Sequence, residues 1–211
     1  MTHVAPTIFV IDDDDSVRTS LSRLLNAAGL QVKTFRSAEV YLEHTPHQGA
    51  GCIILDVCMG GLSGTDLQTR LAENGCDLPI IFLTGHGSIP MSVNAMKHGA
   101  VDFLTKPVDE TILLDTIHQA LANYERIICD RKQADAARER LEALTPRELE
   151  VMREVLTGSL NKQIAARLGI AEKTVKLHRS RVMEKIGVTS VAELVRFAGA
   201  AGVSPMEQTR S

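Results

Sequence analysis

The sequence predicts an α/β domain with a doubly wound parallel (βα)5 sheet, then a helical linker and an all-α four-helix domain. Three observations lead there. Short apolar runs alternate five times with helix-length amphipathic segments in residues 1–122; residues 123–143 are charged and alanine-rich, with no Gly or Pro; and from residue 144 four amphipathic segments are set off by capping residues and glycines. Strands alternating with helices imply a parallel sheet covered on both faces, with its functional site at the carboxyl ends of the strands.

The runs Thr7–Ile11, Gln31–Phe35, Cys52–Leu55, Pro79–Leu83 and Val101–Leu104 are too short for helices and rich in β-branched residues or Phe, so they predict strands. Between and after them, Ser16–Ala28, Ala38–His44, Thr65–Asn74, Ile89–His98 and Glu110–Ala122 carry apolar residues at helical spacing, as in Val17, Leu21, Leu24 and Leu25. With no breaker after Ala122, the last helix can run on as the linker; its apolar positions, Ile127, Ile128, Ala134, Ala137, Leu141 and Leu144, are too sparse for a sustained coiled coil. Thr145-Pro146-Arg147-Glu148 is a capping box with Pro at the first helical position, opening a helix that runs to about Thr157 and stops at Gly158. Asn161–Leu168 ends at Gly169 and Glu172–Ile186 at Gly187. Ser190-Val191-Ala192-Glu193 reads as a second capping box, opening a helix that fades at Gly199 or Gly202.

A length of 211 residues suits two small domains, 1–122 and 144–211, joined by the linker 123–143. The composition, 44% hydrophobic and 23% charged, excludes a collagenous or wholly disordered chain. No apolar run approaches the roughly 18 residues needed to cross a bilayer, and the start lacks a secretory pattern, so a cytoplasmic protein without membrane contact is expected. Cys52, Cys58, Cys76 and Cys129 form no C-x-x-C pair, and reduced thiols are expected. The formal net charge of −3 hides an asymmetry: residues 1–122 carry net −7, residues 123–142 are balanced, and residues 143–211 carry net +4. Seven basic residues against two acidic ones between Asn161 and Ile186 make nucleic acid a natural partner of the second domain.

Asp12, Asp13, Asp14 and Asp15 follow the first strand directly, and Asp56 ends the third. In a sheet wound this way those strands are neighbours, so Asp12, Asp13 and Asp56 converge. Three close carboxylates require a cation, and Mg²⁺ suits them because it prefers hard oxygen ligands. Thr84 and Lys106, at the ends of the fourth and fifth strands, bring a hydroxyl and an ammonium to the same rim. Such a set is arranged for phosphoryl transfer to a carboxylate, with metal and lysine offsetting charge on the transferring oxygens. Asp14 and Asp15 read as the start of a solvated helix, with Asp15 as its N-cap.

Asn161–Leu168, a tight turn and Glu172–Ile186 have helix-turn-helix spacing, whose second helix enters the major groove. On that helix Val175, Val182 and Ile186 should face the core, and Lys173, Lys176, Leu177, Ser180 and Glu184 the opposite side. Lys176, Leu177 and Ser180 are the expected base readers. Lys162, Thr174, His178, Arg179 and Arg181 are expected at phosphates, with partly buried packing as the other reading of His178.

Residues 7–122 resemble the receiver domain of bacterial two-component response regulators through Ile11-Asp12-Asp13-Asp14, Leu55-Asp56, Leu83-Thr84-Gly85-His86-Gly87 and Phe103-Leu104-Thr105-Lys106-Pro107. Residues 144–198 resemble the LuxR/NarL-type helix-turn-helix domain through Leu144-Thr145-Pro146-Arg147-Glu148, Asn161-Lys162-Gln163-Ile164-Ala165 and Lys173-Thr174-Val175-Lys176-Leu177-His178-Arg179, and the combination is most similar to the FixJ subgroup. The resemblance implies a transcription factor phosphorylated on Asp56 by a sensor histidine kinase, a homodimer when phosphorylated, that binds double-stranded promoter DNA with RNA polymerase as a further partner. It also implies Mg²⁺ held by Asp12 or Asp13, Asp56 and the Cys58 carbonyl, phosphoryl contacts from Thr84 and Lys106, and Phe103 as an aromatic that rotates when Thr84 moves. On this reading the receiver is not an enzyme acting on other substrates, though it catalyses its own phosphorylation and dephosphorylation. One departure stands out: the family usually has Met-Pro where this chain has Met59 followed by Gly60-Gly61, so the loop is expected to be more mobile.

Two other classes compete. An aspartyl-phosphate phosphatase of the haloacid dehalogenase kind would favour a second acid at position 58, which is Cys, and gives no role to the basic helical domain. A LuxR-type regulator sensing a small molecule would need an aromatic-lined cavity, yet the chain has no Trp and two Tyr.

Overall fold

The computed structural model describes residues 5–44, 49–85, 93 and 95–204. Contacts divide the chain into two compact units, Met1–Ile127 and Ile128–Ser211. In the first, β1 (Thr7–Ile11), β2 (Gln31–Phe35), β3 (Gly51–Leu55), β4 (Ile80–Thr84) and β5 (Asp102–Thr105) form a parallel sheet in the order β2-β1-β3-β4-β5, each strand within a residue of its predicted run. Side chains alternate across a strand, so Phe9, Ile11, Ile53, Leu55 and Phe82 enter one core layer while Ile8, Val10, Ile54, Ile81 and Leu83 enter the other. Burial on both faces is why β1, β3 and β4 read as unbroken apolar runs. Ile11 pairs with Leu55, so the residues that follow them leave the sheet side by side.

Helices α1 (Asp15–Ala27), α2 (Ala38–Leu42), α3 (Gly64–Glu73) and α4 (Glu110–Glu142) connect or follow the strands. Two expectations are corrected. The N-cap of α1 is Asp14, whose carboxylate accepts from the Ser16 and Val17 amides, while Asp15 is the first helical residue and pairs with Arg18. The second helix ends at Leu42 rather than His44. The predicted helix Ile89–His98 lies largely outside the described residues, as do His86 and Met91; within it Val93 and Ala95–Lys97 are helical. The 33-residue α4 runs without a break through the charged, Gly-free stretch. Its Leu113, Ile117 and Leu121 pack into the first unit's core, Tyr124 still touches that unit, and Leu141 packs against the core of the second.

The second unit continues with α5 (Pro146–Leu156), α6 (Asn161–Leu168), α7 (Glu172–Ile186) and α8 (Val191–Ala200) around Val151, Met152, Val155, Ile164, Val175, Val182, Ile186 and Leu194. The capping box at Thr145 forms on both sides, with its hydroxyl on the Glu148 amide and the Glu148 carboxylate on the Thr145 amide. At α8 only half of the expected box forms: Ser190 accepts from the Glu193 amide, but the Glu193 carboxylate reaches the amide and hydroxyl of Thr189.

Glu148 also holds the unit together. Its side chain is buried, and the Lys185 ammonium at the end of α7 sits 2.6 Å from Oε2 while also donating to the Ala143 carbonyl at 3.0 Å. The Lys185 hydrogen bond, followed by the Thr145 amide, lowers the Glu148 carboxyl to about 2 from an ordinary 4.5. A carboxyl lowered on folding contributes stability above its unfolded value and loses it as pH falls towards the folded one. The amides of α5–α8 should therefore lose exchange protection between pH 4.5 and 2 more steeply in the native protein than in Glu148→Gln. Parallel acid profiles for the two proteins would show that the pair contributes nothing.

Candidate functional site

The parallel register of β1 and β3 brings Asp12 and Asp56 to one sheet edge, and β5 delivers Lys106 there. Lys106 Nζ lies 2.6 Å from Asp12 Oδ2 and 3.0 Å from Asp56 Oδ2. Carboxylate oxygens of Asp12, Asp13 and Asp56 all fall within 4.8 Å of one another. Asp12 is 2% exposed and Asp56 7%, whereas Asp13 faces solvent. Burial raises the Asp12 carboxyl above its usual range, despite opposition from Lys106 and the Asp14 amide. Burial also works against the Lys106 ammonium, but its bonds to Asp12 and Asp56 outweigh that and hold its pKa above the ordinary lysine value. Three carboxylates and one ammonium sum formally to −2, and a hard dication such as Mg²⁺ fits that oxygen-only set.

Backbone amides complete the pocket. The Asp14 amide donates to Asp12 Oδ1 at 3.0 Å and the Cys58 amide to Asp56 Oδ1 at 3.3 Å. Thr84 closes β4 fully buried, and its carbonyl accepts from the Lys106 amide at 2.8 Å. Phe103 on β5 is half-buried, with its ring centroid 6.1 Å from that of Phe82.

Three contributors were not read from the sequence. Arg18 donates to the Asp12 carbonyl at 2.6 Å, and the Glu39 carboxylate accepts from the Leu62 amide at 2.8 Å. Gly64 packs so closely on the loop after β3 that a Cβ there would lie 2.3 Å from the Asp56 carbonyl oxygen. A glycine at the first position of a helix, where a better helix former would be ordinary, was the available signal for Gly64.

In the second unit, Gly169 ends α6 in the left-handed region at φ 65, and α7 starts three residues later. Val175, Val182 and Ile186 are buried, while Lys173, Lys176, Leu177, Ser180, Arg181 and Glu184 are exposed, as is Lys162 on α6. Thr174, His178 and Arg179 are half-buried. Arg179 donates to Asn161 Oδ1 at 3.1 Å, tying the two helices of the motif together. Lys176 is 3.3 Å from Glu172 one turn back, and Arg181 borders a shallow cleft with Thr145, Glu148, Glu184 and Lys185. Arg167 pairs with Glu154 at 2.5 Å. Among the described residues His178 Nδ1 has no hydrogen-bond partner.

Comparison with known proteins matches residues 8–118 to the response regulator receiver domain and residues 142–198 to the bacterial regulatory proteins of the luxR family. Nodulation protein W of Bradyrhizobium diazoefficiens is 47% identical, with 96% of this chain and 90% of that protein covered. The transcriptional regulatory protein FixJ of Rhizobium meliloti is 39% identical over 94% and 98% of the two chains. Among solved structures, the response regulator StyR superposes with a TM-score of 0.84 at 45% identity over 93% and 99% of the chains. Full-length FixJ from B. japonicum gives a TM-score of 0.60 at 40% identity over 93% and 97%. Among the described residues no helix is long and apolar enough to cross a membrane.

Proposed function

The chain belongs to the transcriptional response regulators that join a receiver domain to a luxR-family helix-turn-helix domain, and from that premise we propose that phosphorylation of Asp56 switches its binding to promoter DNA. The observation that carries this reading is the Lys106 ammonium bridging Asp12 and Asp56 at the sheet edge. An Asp56 oxygen attacks the phosphorus of a phosphohistidine on a sensor histidine kinase; a P–O bond forms as the P–N bond breaks, and the imidazole leaves. Lys106 follows the charge from the carboxylate to the phosphoryl oxygens. Bound among Asp12, Asp13, Asp56 and the Cys58 carbonyl, Mg²⁺ would offset charge on those same oxygens. Because the pocket does this work, a small phosphodonor can replace the kinase, and hydrolysis restores Asp56.

The new dianion draws the Thr84 hydroxyl inward, and Phe103 follows into the space released. That changes the expected face of Ile89–His98, Val101–Leu104 and Glu110–Ala122; of its described residues Val93, Met96, Val101 and Ile112 expose apolar side chains. Phosphorylated protein should therefore sediment as a dimer at micromolar concentration and unmodified protein at lower mass; equal masses would remove this surface from the mechanism. In DNA, Lys176, Leu177 and Ser180 read bases, while Lys162, Lys173, Thr174 and Arg181 meet phosphates and Arg179 ties α6 to α7. RNA polymerase is the onward partner of a factor seated on a promoter, and the cytoplasm is where kinase and DNA are both within reach.

Selection from randomised duplexes with unmodified and phosphorylated protein tests the whole reading. The phosphorylated form should enrich one motif at lower protein concentration. Equal enrichment by both forms would remove the switch, and enrichment by neither would remove sequence-specific DNA binding.

A further inference from the structure

The loop after the phosphoacceptor is where this chain departs from the usual Met-Pro, and the two glycines do not leave it without anchors. A proline at position 60 would have no amide hydrogen. Gly60 has one, and it donates to Asp13 Oδ2 at 3.3 Å. Two residues on, the Leu62 amide donates to Oε1 of Glu39, in the first turn of α2, at 2.8 Å. Gly61 between them adopts φ +104, and a Cβ there would stand 2.8 Å from the same Glu39 oxygen. This approach needs glycine for both its dihedral and its lack of a side chain. The loop is closed at its far end by the Gly64 amide on the Val57 carbonyl at 3.1 Å. Glu39 is set for this task, since the Ser37 side chain and then the Leu62 amide stabilise its charged form and lower its carboxyl below the usual range.

We propose that Glu39 is a positioning residue of the phosphoacceptor pocket: by holding Leu62 it keeps Gly60 where its amide steadies Asp13, and so sets the pocket's affinity for a divalent cation. The proposal rests on Asp12, Asp13 and Asp56 being the Mg²⁺ site. Glu39 acts through the Leu62 hydrogen bond and not through its charge alone, and substitution separates the two, because glutamine keeps an oxygen that can accept the same bond.

The test uses the full chain with two readouts: amide hydrogen exchange at Gly60–Leu62 without metal, and Mg²⁺ titration followed by the chemical shifts of the loop amides. Losing a hydrogen bond to a charged acceptor should make loop exchange in Glu39→Ala about tenfold faster and Mg²⁺ binding about three- to tenfold weaker. Glu39→Gln should remain near the native protein in both. Amides of β1 report whether the fold survives; should Glu39→Ala lose their protection, Glu39→Asp, whose carboxylate stops one methylene short of the Leu62 amide, should loosen the loop alike. Unchanged loop exchange overturns the role of Glu39, as does faster exchange with unchanged Mg²⁺ affinity. Glutamine and alanine variants weakened equally for Mg²⁺ overturn it in favour of charge alone. Native protein that shows no Mg²⁺ response overturns the metal reading itself, which is distinguishable because the native titration then fails before any variant is compared.

Discussion

Incubated with a small phosphodonor and Mg²⁺, the protein should gain one phosphoryl group per chain, and the Asp56→Asn variant none. Five other carboxylates or carboxylate neighbours of the loop could compete in principle, and the geometry ranks them. Asp14 spends its carboxylate on the α1 cap, Asp15 pairs with Arg18, and Glu39 is engaged by Leu62. Asp13 faces solvent, and its carboxylate accepts from the Gly60 amide, whereas the Lys106 ammonium lies on Asp12 and Asp56. Asp12 is the close rival because it also touches Lys106, but it is the more enclosed of the two, with 3% of its side chain exposed against 9% for Asp56. Both of its oxygens are engaged more tightly than those of Asp56: Oδ1 accepts from the Asp14 amide at 3.0 Å against 3.3 Å for the Cys58 amide on Asp56, and Oδ2 lies 2.6 Å from Lys106 against 3.0 Å. Asparagine keeps the shape of Asp56 but offers no anionic oxygen. Intact-mass measurement on both proteins decides the matter, and equal labelling of Asp56→Asn would move the phosphoacceptor elsewhere.

The sheet and the acidic pocket were legible because both follow from local pattern. Each strand of β1, β3 and β4 is a run of apolar residues, and strand order alone brings Asp12 and Asp56 together. Pairings between distant residues left no such trace. Lys185 counts as one of the seven cations of the basic segment, yet it is spent on Glu148, 37 positions away, and Arg167 and Arg179 are likewise engaged by Glu154 and Asn161. A charge count cannot separate cations consumed by the fold from those presented to a ligand; with those three set aside, Lys162, Lys173, Lys176 and Arg181 remain, all of them exposed. The loop shows the same limit. Composition gave Gly60 and Gly61 their freedom, whereas the bonds that restrict them come from Asp13 and Glu39, in other parts of the chain.

Lys176→Ala should weaken binding to the target duplex by about 1–3 kcal/mol and relax preference at one base pair, whereas Arg181→Ala should weaken target and scrambled DNA alike. Both variants remove one positive charge from α7, so a binder that used charge alone would respond equally to each. Position separates them. Lys176 projects from the first half of the helix on the exposed side, beside Leu177, where side chains reach base edges. Arg181 borders the cleft with Thr145 and Glu184, to the side of that face, and suits a phosphate; its loss should lower the salt slope by about one unit. In the free protein Lys176 is paired with Glu172 at 3.3 Å, an exposed i,i+4 contact of about 0.3–0.5 kcal/mol. That is too small to hold Lys176 back from a base contact of the size expected, so Glu172→Ala should leave sequence preference in place. The measurement is a set of titrations on target and scrambled duplexes at several salt concentrations. Equal weakening of both duplexes by Lys176→Ala would reduce Lys176 to a phosphate contact and leave Leu177 and Ser180 as the readers on α7.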